Sequence, residues 1–580
     1  MIPLPFRASA LGGLLLLAVA GPAVGKVRVE ITGLSGNELA NVEARLSIKA
    51  QAGEKGLDDN DVKRLHEQAA ADIREALQPF GYYSPKIESD LGGRAPDWVA
   101  SYAVEAGPET QIVSIDLAFV GEGREELQKL HPKRAIIEVG ERIRHAQYEN
   151  VKKRMMDQAL NHGYIDAHWK TAELRIDVEK REARIVLHLE TGPRFYFGPV
   201  TIEQSVIDPA VVARYVNLEV GAPFETQKLL DLQFVLGDLG YFDYVAIEPQ
   251  RDLTLPGNRI PILLRATPRA RTRWDFGVGY GTDTGARVSM GSEWRRLNDK
   301  GHTLQTDFRL SQIKNTLQAE YRIPQGTTPG EYLGFTAAYE SEELEDGETF
   351  KYLIGTSINR APEDAWQKKY YLEFAHEETD FGETFVTADL LTPGIQLTRT
   401  AANDPIYARR GWYLFADLHG AARNVLSSTS FVQGHVLGRG IYPLGQRLRL
   451  LTRAEFGYSI VEEFGELPAS ERFFAGGDQS VRGYAYQSIG PKDEEGDVVG
   501  GKYLTTYSVE VEMRLGRMWG IAGFIDAGGA DDDPNPSLFK GIGAGLRYRA
   551  PIGSLQLDLA HPLDGDESPV RVHIGVRVGV

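Results

Sequence analysis

One motif of four residues contains an arginine next to a glycine and flanked by an apolar and an aromatic residue. The motif consists of Val481, Arg482, Gly483 and Tyr484. It lies in a long segment between two predicted strands, one ending near Tyr458 and the next starting near Tyr503, and connections of this length are uncommon unless they have a function. If the segment folds into an enclosed space, the guanidinium of Arg482 leaves bulk water and requires a carboxylate partner. The chemistry predicted here is a buried ion pair.

The candidate partner is Asp526, on a predicted strand after the motif. Because residues two apart share a strand face, one face of this strand carries Phe524, Asp526 and Gly528. Gly483 permits close approach of the backbone, and Gly528 leaves room for it. In the alternative interpretation, Arg482 lies on an exposed loop and Asp526 is unrelated to it.

The remaining candidate motifs lack the residues that catalysis or metal binding needs. The chain has 0 cysteines, which excludes disulfides, thiol nucleophiles and cysteine-ligated metals. Gly496, Gly501 and Lys502 have the spacing of a phosphate-binding loop, but Tyr503 replaces the Ser or Thr that would hold magnesium. The 12 histidines form no His-Glu-x-x-His zinc motif. We therefore predict a protein that is not an enzyme and binds no cofactor or metal.

The elements that would position the ion pair lie in residues 269–580. Alternation places Val572, Ile574, Val576, Val578 and Val580 on one face of the last strand, and Trp274, Phe276, Val278 and Tyr280 on one face of the first. The strands of a soluble β-sandwich also alternate between apolar and polar residues. In this half, however, charges such as Glu510 and Glu512 recur on the strand face opposite the apolar residues, as in the polar lumen of a membrane barrel. At ~10 residues per strand plus turns, this half predicts a transmembrane antiparallel β-barrel of about 16 strands.

The first half contains a threefold repeat. A helix-like segment ends in Gly-Tyr at 81–82, 163–164 and 240–241, at spacings of 82 and 77 residues. The third repeat reads as a strand, two helices and two strands, with these predicted bounds: 195–204, 208–218, 225–239, 241–249 and 259–267. Such β-α-α-β-β units leave sheet edges to which an extended chain can pair, and spacers are the alternative interpretation.

The N-terminus and the composition restrict the cellular context. Arg7 precedes an apolar run over 10–20 that is about half as long as the ~20 residues of a membrane-spanning helix. Small-residue cleavage patterns end at Ala20 and Gly25. The sequence thus predicts a cleaved export signal over 1–25, with a membrane anchor as the alternative. A formal net charge of −17 argues against nucleic-acid binding.

Together these motifs resemble the outer-membrane assembly-factor (BamA/TamA) superfamily, which includes the two-partner secretion transporters. Residues 481–484 resemble its V-R-G-[FY] loop motif, and residues 524–528 its F-x-D-x-G strand motif. Residues 543–553 and 557–560 resemble its near-terminal strands. The three repeats resemble periplasmic polypeptide-transport-associated (POTRA) domains. Three repeats in 580 residues most resemble the TamA branch, the outer-membrane subunit of the translocation and assembly module.

The repeats and the resemblance together predict five parts: a signal peptide (1–25), three POTRA domains (26–107, 108–192 and 193–268) and the barrel (269–580). The resemblance implies a cell outer-membrane location with the N-terminal domains in the periplasm. It also implies a function in inserting and translocating autotransporter-type clients. The implied partners are a TamB-like protein anchored in the inner membrane, unfolded outer-membrane proteins and outer-membrane lipid, with no nucleic acid.

A barrel that helps other barrels to insert must open, because a closed barrel uses all its backbone hydrogen bonds internally. The predicted seam joins the first strand, 271–281, to the last, 571–580. Glycines supply little side-chain packing there; they are Gly277, Gly279, Gly281, Gly575 and Gly579. We expect a client strand to pair with the opened edge by β-augmentation. The alternative is a two-partner secretion pore that exports a soluble substrate through the lumen.

Overall fold

The computed structural model describes residues 26–52, 58–94, 97–130, 137–281, 285–344, 347–361, 366–381, 384–494, 496–551, 553–564 and 570–577. The predicted signal peptide (1–25) and the seam glycine Gly579 lie outside the described residues. Within the described ranges, none of the helices combines the length and apolar character that a membrane crossing requires.

Three small sheets with helices on them make up the N-terminal part. The first domain contains β1 (Lys26–Thr32), α1 (Gly36–Arg45), α2 (Ser47–Gln51), α3 (Asp59–Leu77), β2 (Lys86–Arg94) and β3 (Asp97–Glu105). The second contains β4 (Gln111–Val120), α4 (Arg124–Leu130), α5 (His145–Asn161), β5 (His168–Asp177) and β6 (Glu182–Glu190). The third contains β7 (Tyr196–Glu203), α6 (Pro209–Ala213), α7 (Thr226–Asp238), β8 (Phe242–Pro249) and β9 (Arg259–Pro268). The predicted β-α-α-β-β order is confirmed, with one additional short helix in the first domain.

The last strand of each domain lies at the centre of its sheet. The strand orders are β1-β3-β2, β4-β6-β5 and β7-β9-β8. In the first two domains the first strand runs parallel to the central strand, and the second strand runs antiparallel to it. Parallel neighbours need a crossover connection, which the helices supply. In the described residues no further strand pairs with the outer strands, but the starts of β4 and β7 exchange backbone hydrogen bonds with residues 140–141 and 221–222, respectively.

Helix α3 illustrates why these residues fold in this way. The side chain of Asp58 caps the helix, accepting the backbone N–H groups of Asn60 and Asp61 at 2.8 Å each. Buried positions on the helix recur with helical spacing, and those on β3 alternate. The core between them consists mainly of Val62, Leu65, Ala69, Ile73, Leu77, Trp98, Ala100, Tyr102 and Val104.

The predicted helix over 208–218 is wrong in its extent, because α6 covers only Pro209–Ala213. Asp208 caps it, and proline suits a first helical turn. Three valines in the segment restrict side-chain rotamers and weaken helix propensity. The chain therefore continues as turns that still bury Tyr215 and Leu218.

The C-terminal half forms one antiparallel sheet of 16 strands. The strands are β10 (Thr272–Gly281), β11 (Gly285–Trp294), β12 (Thr303–Ser311), β13 (Lys314–Pro324), β14 (Tyr332–Leu344), β15 (Gly347–Arg360), β16 (Gln367–Phe381), β17 (Thr384–Ala402), β18 (Gly411–Ala421), β19 (Phe431–Leu444), β20 (Leu448–Val461), β21 (Tyr503–Arg514), β22 (Trp519–Asp531), β23 (Phe539–Ala550), β24 (Gly553–Pro562) and β25 (Arg571–Arg577). Each strand pairs with the next in sequence, so β10 and β25 are the two ends of a nearly closed barrel. Among the described residues, no hydrogen-bonded ladder joins these two ends. The predicted fold class is confirmed.

Alternation along the strands gives the barrel one apolar and one polar face. On β21, Val509 and Val511 are 50% and 40% exposed, whereas Glu510 and Glu512 are 2% and 1% exposed. On β10, the predicted outward face is also exposed, with Val278 at 89%. Outward apolar and inward polar residues are typical of a barrel that faces lipid and encloses a polar lumen.

The chain divides into two compact units, and the boundary between them passes through the third domain. One unit runs to Pro199 and adds Glu219–Lys228 and Gln250–Pro261. The other holds Val200–Leu218, Leu229–Pro249 and the chain from Ile262 onward. Strands β7 and β9 therefore contribute residues to both units.

Candidate functional site

The residues between β20 and β21, 462–502, fold against the inner face of the barrel and are termed the lumenal segment. The hydroxyl of Tyr486 donates to Glu342 on β14 at 3.0 Å, and the backbone N–H of Ser470 donates to Glu377 on β16 at 3.0 Å. Both carboxylates lie on the strand face opposite the exposed apolar residues. The segment thus reaches across strands that are far apart in the sheet and occupies the bore.

Arg482, in the lumenal segment, lies against Asp526 on β22. Its Nε and Nη2 donate to the two carboxylate oxygens at 2.7 and 3.0 Å, and its backbone N–H donates to the same carboxylate at 3.1 Å. Arg482 is 6% exposed and Asp526 is 0% exposed. The forked guanidinium matches a carboxylate in two-point geometry, so the structure brings together the two residues that the sequence analysis proposed as a pair.

Two further carboxylates complete the surroundings of Arg482. Its Nη1 donates to Glu510 on β21 at 3.0 Å and to Asp558 on β24 at 2.9 Å. A second buried cation, Arg547 on β23, donates through Nη2 to Glu510 at 2.9 Å and through Nη1 to Asp558. Arg577 on β25 lies 3.4 Å from Glu510. Three guanidinium groups therefore face three carboxylates, and the network carries no net charge.

The sequence analysis placed Glu510 on a polar strand face but did not connect it or Asp558 to Arg482. The same alternation puts Arg547 inside, since its neighbour Leu546 is exposed. The sequence signal available for predicting this network was the presence of inward-facing charges on neighbouring strands. Choosing partners among them requires the register between strands, which pairs Glu510 with Phe524 and Arg547 with Gln556.

The environment of Arg482 keeps its guanidinium charged. Burial alone would lower the pKa of this group. The hydrogen bond to Asp526, together with the charges of Asp526, Glu510 and Asp558, outweighs burial and raises the pKa above its ordinary value. The Phe524 ring centroid lies 3.3 Å from the guanidinium carbon of Arg482 and adds a cation–π contact.

The glycine that makes room for the segment is not the one expected. An added Cβ on Gly528 would meet the neighbouring strand, 2.9 Å from the carbonyl oxygen of Thr505. At Gly541 on β23, an added Cβ would overlap the carbonyl oxygen of Arg482. Gly483 has a φ of +104°, and an added Cβ would lie 3.1 Å from the backbone nitrogen of Pro562. The expected role of Gly483 agrees with its contacts, whereas the space assigned to Gly528 is supplied by Gly541.

The other two motif residues fix the segment beside the network. Val481 is 0% exposed, within a cluster of buried apolar residues. The Tyr484 hydroxyl oxygen lies 2.8 Å from the carbonyl oxygen of Asp564 and 3.1 Å from that of Lys540, so its one O–H has an acceptor on either side. Its ring also contacts Phe539 edge-on, with centroids 5.7 Å apart. Both residues therefore hold the motif against β23 and the end of β24.

A histidine on the terminal strand also contacts the motif. The backbone N–H of Gly483 donates to Nε2 of His573 at 3.1 Å, and the other ring nitrogen hydrogen-bonds with Asp478 of the lumenal segment. The sequence analysis assigned no role to His573. Its 4% exposure and inward position on β25 follow from the alternation with Val572 and Ile574.

A second anchor lies at the start of the lumenal segment. Glu471 accepts from Lys351 on β15 at 3.4 Å and lies 3.0 Å from the His419 ring on β18. Burial alone would raise the pKa of Glu471, but the charge of Lys351 and the hydrogen bond with His419 outweigh it and lower the pKa to about 2. Ion pairs thus hold both halves of the segment. In the described ranges, no cluster of three or more metal-ligating side chains is present.

The barrel residues match the family model of the Omp85 superfamily domain over 282–579, more than half of the chain. The chain belongs to the Omp85 superfamily. A second model, for TamA POTRA domain 1, matches residues 28–106. This Omp85 protein is therefore an outer-membrane β-barrel with N-terminal POTRA domains on the periplasmic side.

Two curated relatives of this Omp85 chain are both named outer membrane protein assembly factor BamA. The Neisseria meningitidis serogroup B protein is 24% identical over 466 residues, which cover 67% of this chain and 56% of the relative. The Nitratidesulfovibrio vulgaris protein is 23% identical over 513 residues, which cover 83% and 62%. The chain thus spans less than two thirds of the length of these relatives.

The fold of this Omp85 chain is also similar to a solved structure. The crystal structure of BamA from Haemophilus ducreyi lacking POTRA domains 1–3 aligns with a TM-score of 0.68 at 17% identity. The alignment covers 80% of this chain and 98% of that chain. At this level of identity the similarity is one of fold.

The predicted seam glycines lie at the two ends of the Omp85 barrel sheet. An added Cβ on Gly277 or Gly279 would meet side chains of β11, at 2.8 Å from Nε of Arg287 in the case of Gly279. Gly281 ends the β10–β11 ladder. Gly575 on β25 has open space around the position of an added Cβ. The β10 glycines therefore contact the neighbouring strand, and their role at a seam stays a prediction.

Proposed function

We propose that this Omp85 protein helps β-barrel proteins of autotransporter type to insert into and cross the outer membrane, as its resemblance to the TamA branch implies. The observation that carries the proposal is the pair of strands, β10 and β25, that end the barrel sheet without a ladder between them in the described residues. Relatives named as outer membrane protein assembly factors support the same class of function.

An unpaired strand edge offers backbone N–H and C=O groups to another extended chain. A client strand would add to β10 or β25 by β-augmentation. On β10 the outward apolar side chains Phe276 and Val278 are 75% and 89% exposed, so an added strand would continue a lipid-facing surface. In lipid, unsatisfied backbone groups cost several kcal/mol each, so pairing itself drives insertion. The proposed function therefore needs no catalytic residue and no external energy source.

The lumenal segment would confine opening to one side of the barrel. Arg482 joins β21, β22 and β24 through carboxylates of each strand. A cavity of about 440 Å³ lies beside the inner faces of β10, β11 and β12. The first strands therefore have space in which to move, while the strands near the C-terminus are held together by charge.

The POTRA domains would bring clients and a partner to the barrel. The parts of their outer strands that make no backbone pairing in the described residues would suit docking of extended polypeptide. The match of the first domain to a TamA POTRA model supports the TamA-like assignment. We therefore propose a TamB-like, inner-membrane-anchored protein as the partner of these domains.

Disulfide locking of the seam tests the proposal, and the chain has 0 cysteines to interfere. Gly279→Cys with Gly575→Cys would join the two terminal strands. Val278→Cys with Val288→Cys is the matched control, because these residues face each other in the β10–β11 ladder, which need not open. We expect the oxidised seam variant to lose assembly of an autotransporter client and to regain it on reduction, while the control stays active.

Two outcomes would contradict the proposal. If the variant with the locked seam assembles clients at the same rate as the reduced variant, lateral opening is not part of the mechanism. Export of a soluble protein through the locked barrel would favour the two-partner secretion alternative, in which the substrate crosses the lumen and the seam stays shut.

A further inference from the structure

The Gly-Tyr pair that marks the three repeats recurs at one structural position. Gly81, Gly163 and Gly240 follow the last helix of their domains, with φ values of +87°, +90° and +75°. A left-handed glycine commonly ends a helix, which explains the glycine but not the tyrosine. The contacts of each pair extend beyond its own repeat.

The first pair contacts the start of the second domain. Thr110, which directly precedes β4, donates its N–H to the carbonyl oxygen of Gly81 at 3.0 Å. The carbonyl oxygen of Thr110 accepts the N–H of Ile143 at 3.0 Å, two residues before α5. An added Cβ on Gly81 would overlap the carbonyl oxygen of Ile143. Because Gly81 has no side chain, the backbone of the second domain can pack directly against it.

The second pair makes the same contacts with the start of the third domain. Phe195, which directly precedes β7, donates its N–H to the carbonyl oxygen of Gly163 at 2.8 Å. The carbonyl oxygen of Phe195 accepts the N–H of Phe224 at 3.0 Å, two residues before α7. An added Cβ on Gly163 would lie 2.7 Å from the carbonyl oxygen of Phe224. The hydrogen bonds and the close approach repeat, element by element.

The tyrosine of each of these pairs lies under an arginine that belongs to the following domain. The guanidinium carbon of Arg142 is 4.9 Å from the centroid of the Tyr82 ring, and that of Arg194 is 5.7 Å from the centroid of the Tyr164 ring. Arg142 precedes Ile143 and Arg194 precedes Phe195, so each arginine is next to a residue of the backbone contact.

The third pair contacts the barrel. Arg269, just before β10, donates its N–H to the carbonyl oxygen of Tyr241 at 2.9 Å. The Tyr241 hydroxyl donates to the carbonyl oxygen of Gly301 at 2.7 Å, in the turn between β11 and β12. Tyr241 is 4% exposed. An added Cβ on Gly301 would lie 2.7 Å from the Tyr241 hydroxyl oxygen, whereas an added Cβ on Gly240 would meet nothing within 4 Å.

We propose that the Gly-Tyr pair is a repeated domain joint, and that Tyr241 is the positioning residue that fixes the third POTRA domain on the β11–β12 turn. The turn joins β12 to β11, and β11 pairs with β10, one of the two ends of the sheet. The joint therefore holds the last POTRA domain beside the edge at which a client strand would add. This last consequence rests on the proposed assembly function, whereas the joint itself does not.

Two glycine-to-alanine substitutions distinguish a glycine that forms a domain joint from one that only ends a helix. Gly163→Ala and Gly240→Ala impose similar backbone strain, because both positions have positive φ, but only the methyl group at 163 meets the next domain. Spin labels on Glu179→Cys and Leu253→Cys report the distance between the second and third domains. We expect Gly163→Ala to shift and broaden that distance distribution and Gly240→Ala to leave it unchanged. Identical distributions in the two variants would overturn the joint.

Tyr241→Phe tests the barrel contact with little risk to folding, because it removes only the hydroxyl. Gly301→Ala tests it from the other side, and Gly330→Ala is its control, since Gly330 also has positive φ but meets only Ala361, at 3.4 Å. Spin labels on Gln233→Cys and Lys300→Cys measure the distance, and heat-modifiable gel mobility measures barrel folding. We expect Tyr241→Phe and Gly301→Ala to broaden the distribution with a folded barrel, and Gly330→Ala to match wild type.

Client assembly is measured separately in the same variants. A wild-type distance distribution in both Tyr241→Phe and Gly301→Ala would overturn the positioning role, whatever their assembly activity. Broadened distances with reduced assembly would support both the joint and its use in delivery. Broadened distances with full assembly would support the joint and contradict its use in delivering clients to β10.

Discussion

Arg482 of the lumenal segment and Asp526 of β22 are joined by three hydrogen bonds, from the backbone N–H, Nε and Nη2 of the arginine to one carboxylate. Main chain and side chain therefore converge on the same group, which fixes both the position and the orientation of the segment. Because Arg482 also donates to Glu510 and Asp558, one residue connects the segment to three strands of the wall. The pair acts as the centre of a charge network that spans the sheet.

Removing the arginine should release the segment. Arg482→Ala leaves the carboxylates of Asp526, Glu510 and Asp558 buried with one guanidinium fewer, and breaking a buried pair in this way costs about 3–5 kcal/mol. Arg482→Lys should fall between alanine and wild type, because an ammonium cannot reproduce the two-point contact. Limited proteolysis of the lumenal segment in the folded barrel measures the effect.

The control for this experiment is Arg517→Ala, in the exposed turn between β21 and β22. It removes the same charge without touching the network, and we expect wild-type protease resistance. Equal resistance of Arg482→Ala and Arg517→Ala would show that the network does not hold the segment.

Gly541→Ala should displace the segment without changing any charge. The added methyl group would occupy the position of the Arg482 carbonyl oxygen, so the motif must move away from β23. Gly291→Ala is a matched inward-facing substitution, because its added Cβ would have its nearest contact at 3.7 Å, with Asp275. We expect faster proteolysis of the segment in Gly541→Ala only. Similar proteolysis rates in the two variants would rule out this steric account.

The faces of the barrel strands could be predicted from the sequence because alternation is a local property. Val572 and Ile574 are exposed and His573 is buried, as their spacing requires. The Arg482 and Asp526 motifs could also be read locally, since each is a short pattern in one stretch of chain. The long connection at 462–502 was visible as a gap in the alternation.

Contacts that depend on register could not be predicted in the same way. Glu510 meets Arg547 because β21, β22 and β23 align at particular residues, and a single sequence does not contain that alignment. Gly541 faces the backbone of Arg482, whereas Gly528 faces the backbone of Thr505 on the neighbouring strand. The path of the lumenal segment determines which of the two glycines it contacts. The short α6 has a different, local cause, because the valines in the segment weaken helix propensity.

Charge on the outward face should destabilise the barrel according to depth. Val509 lies in the middle of β21, where an arginine facing lipid costs about 2–4 kcal/mol, whereas Leu515 follows the end of the strand, where the cost is about 0–1 kcal/mol. We expect Val509→Arg to lower the free energy of unfolding in lipid vesicles well below that of Leu515→Arg. Urea titration followed by heat-modifiable mobility measures both. Equal losses would mean that β21 does not cross the membrane at this depth.

The anchor at Glu471 should loosen in acid. Its pKa is lowered to about 2 in the folded protein from an ordinary 4.5, so the ionised form is favoured by folding. The stabilisation is complete above the ordinary pKa and is lost as the pH falls from about 4.5 towards about 2. A spin label on Gly465→Cys, where an added Cβ meets nothing within 4 Å, reports mobility of the segment.

We expect the label to become mobile across that acid range in otherwise wild-type protein. Glu471→Gln should be mobile already at neutral pH and should respond less to acid, because the charge that Lys351 and His419 face is gone. Glu494→Gln removes an exposed carboxylate from the same segment and should behave like wild type. If Glu471→Gln follows the wild-type curve throughout, another group holds the start of the segment, since the carboxylate at 471 would then make no ionisation-dependent contribution to it.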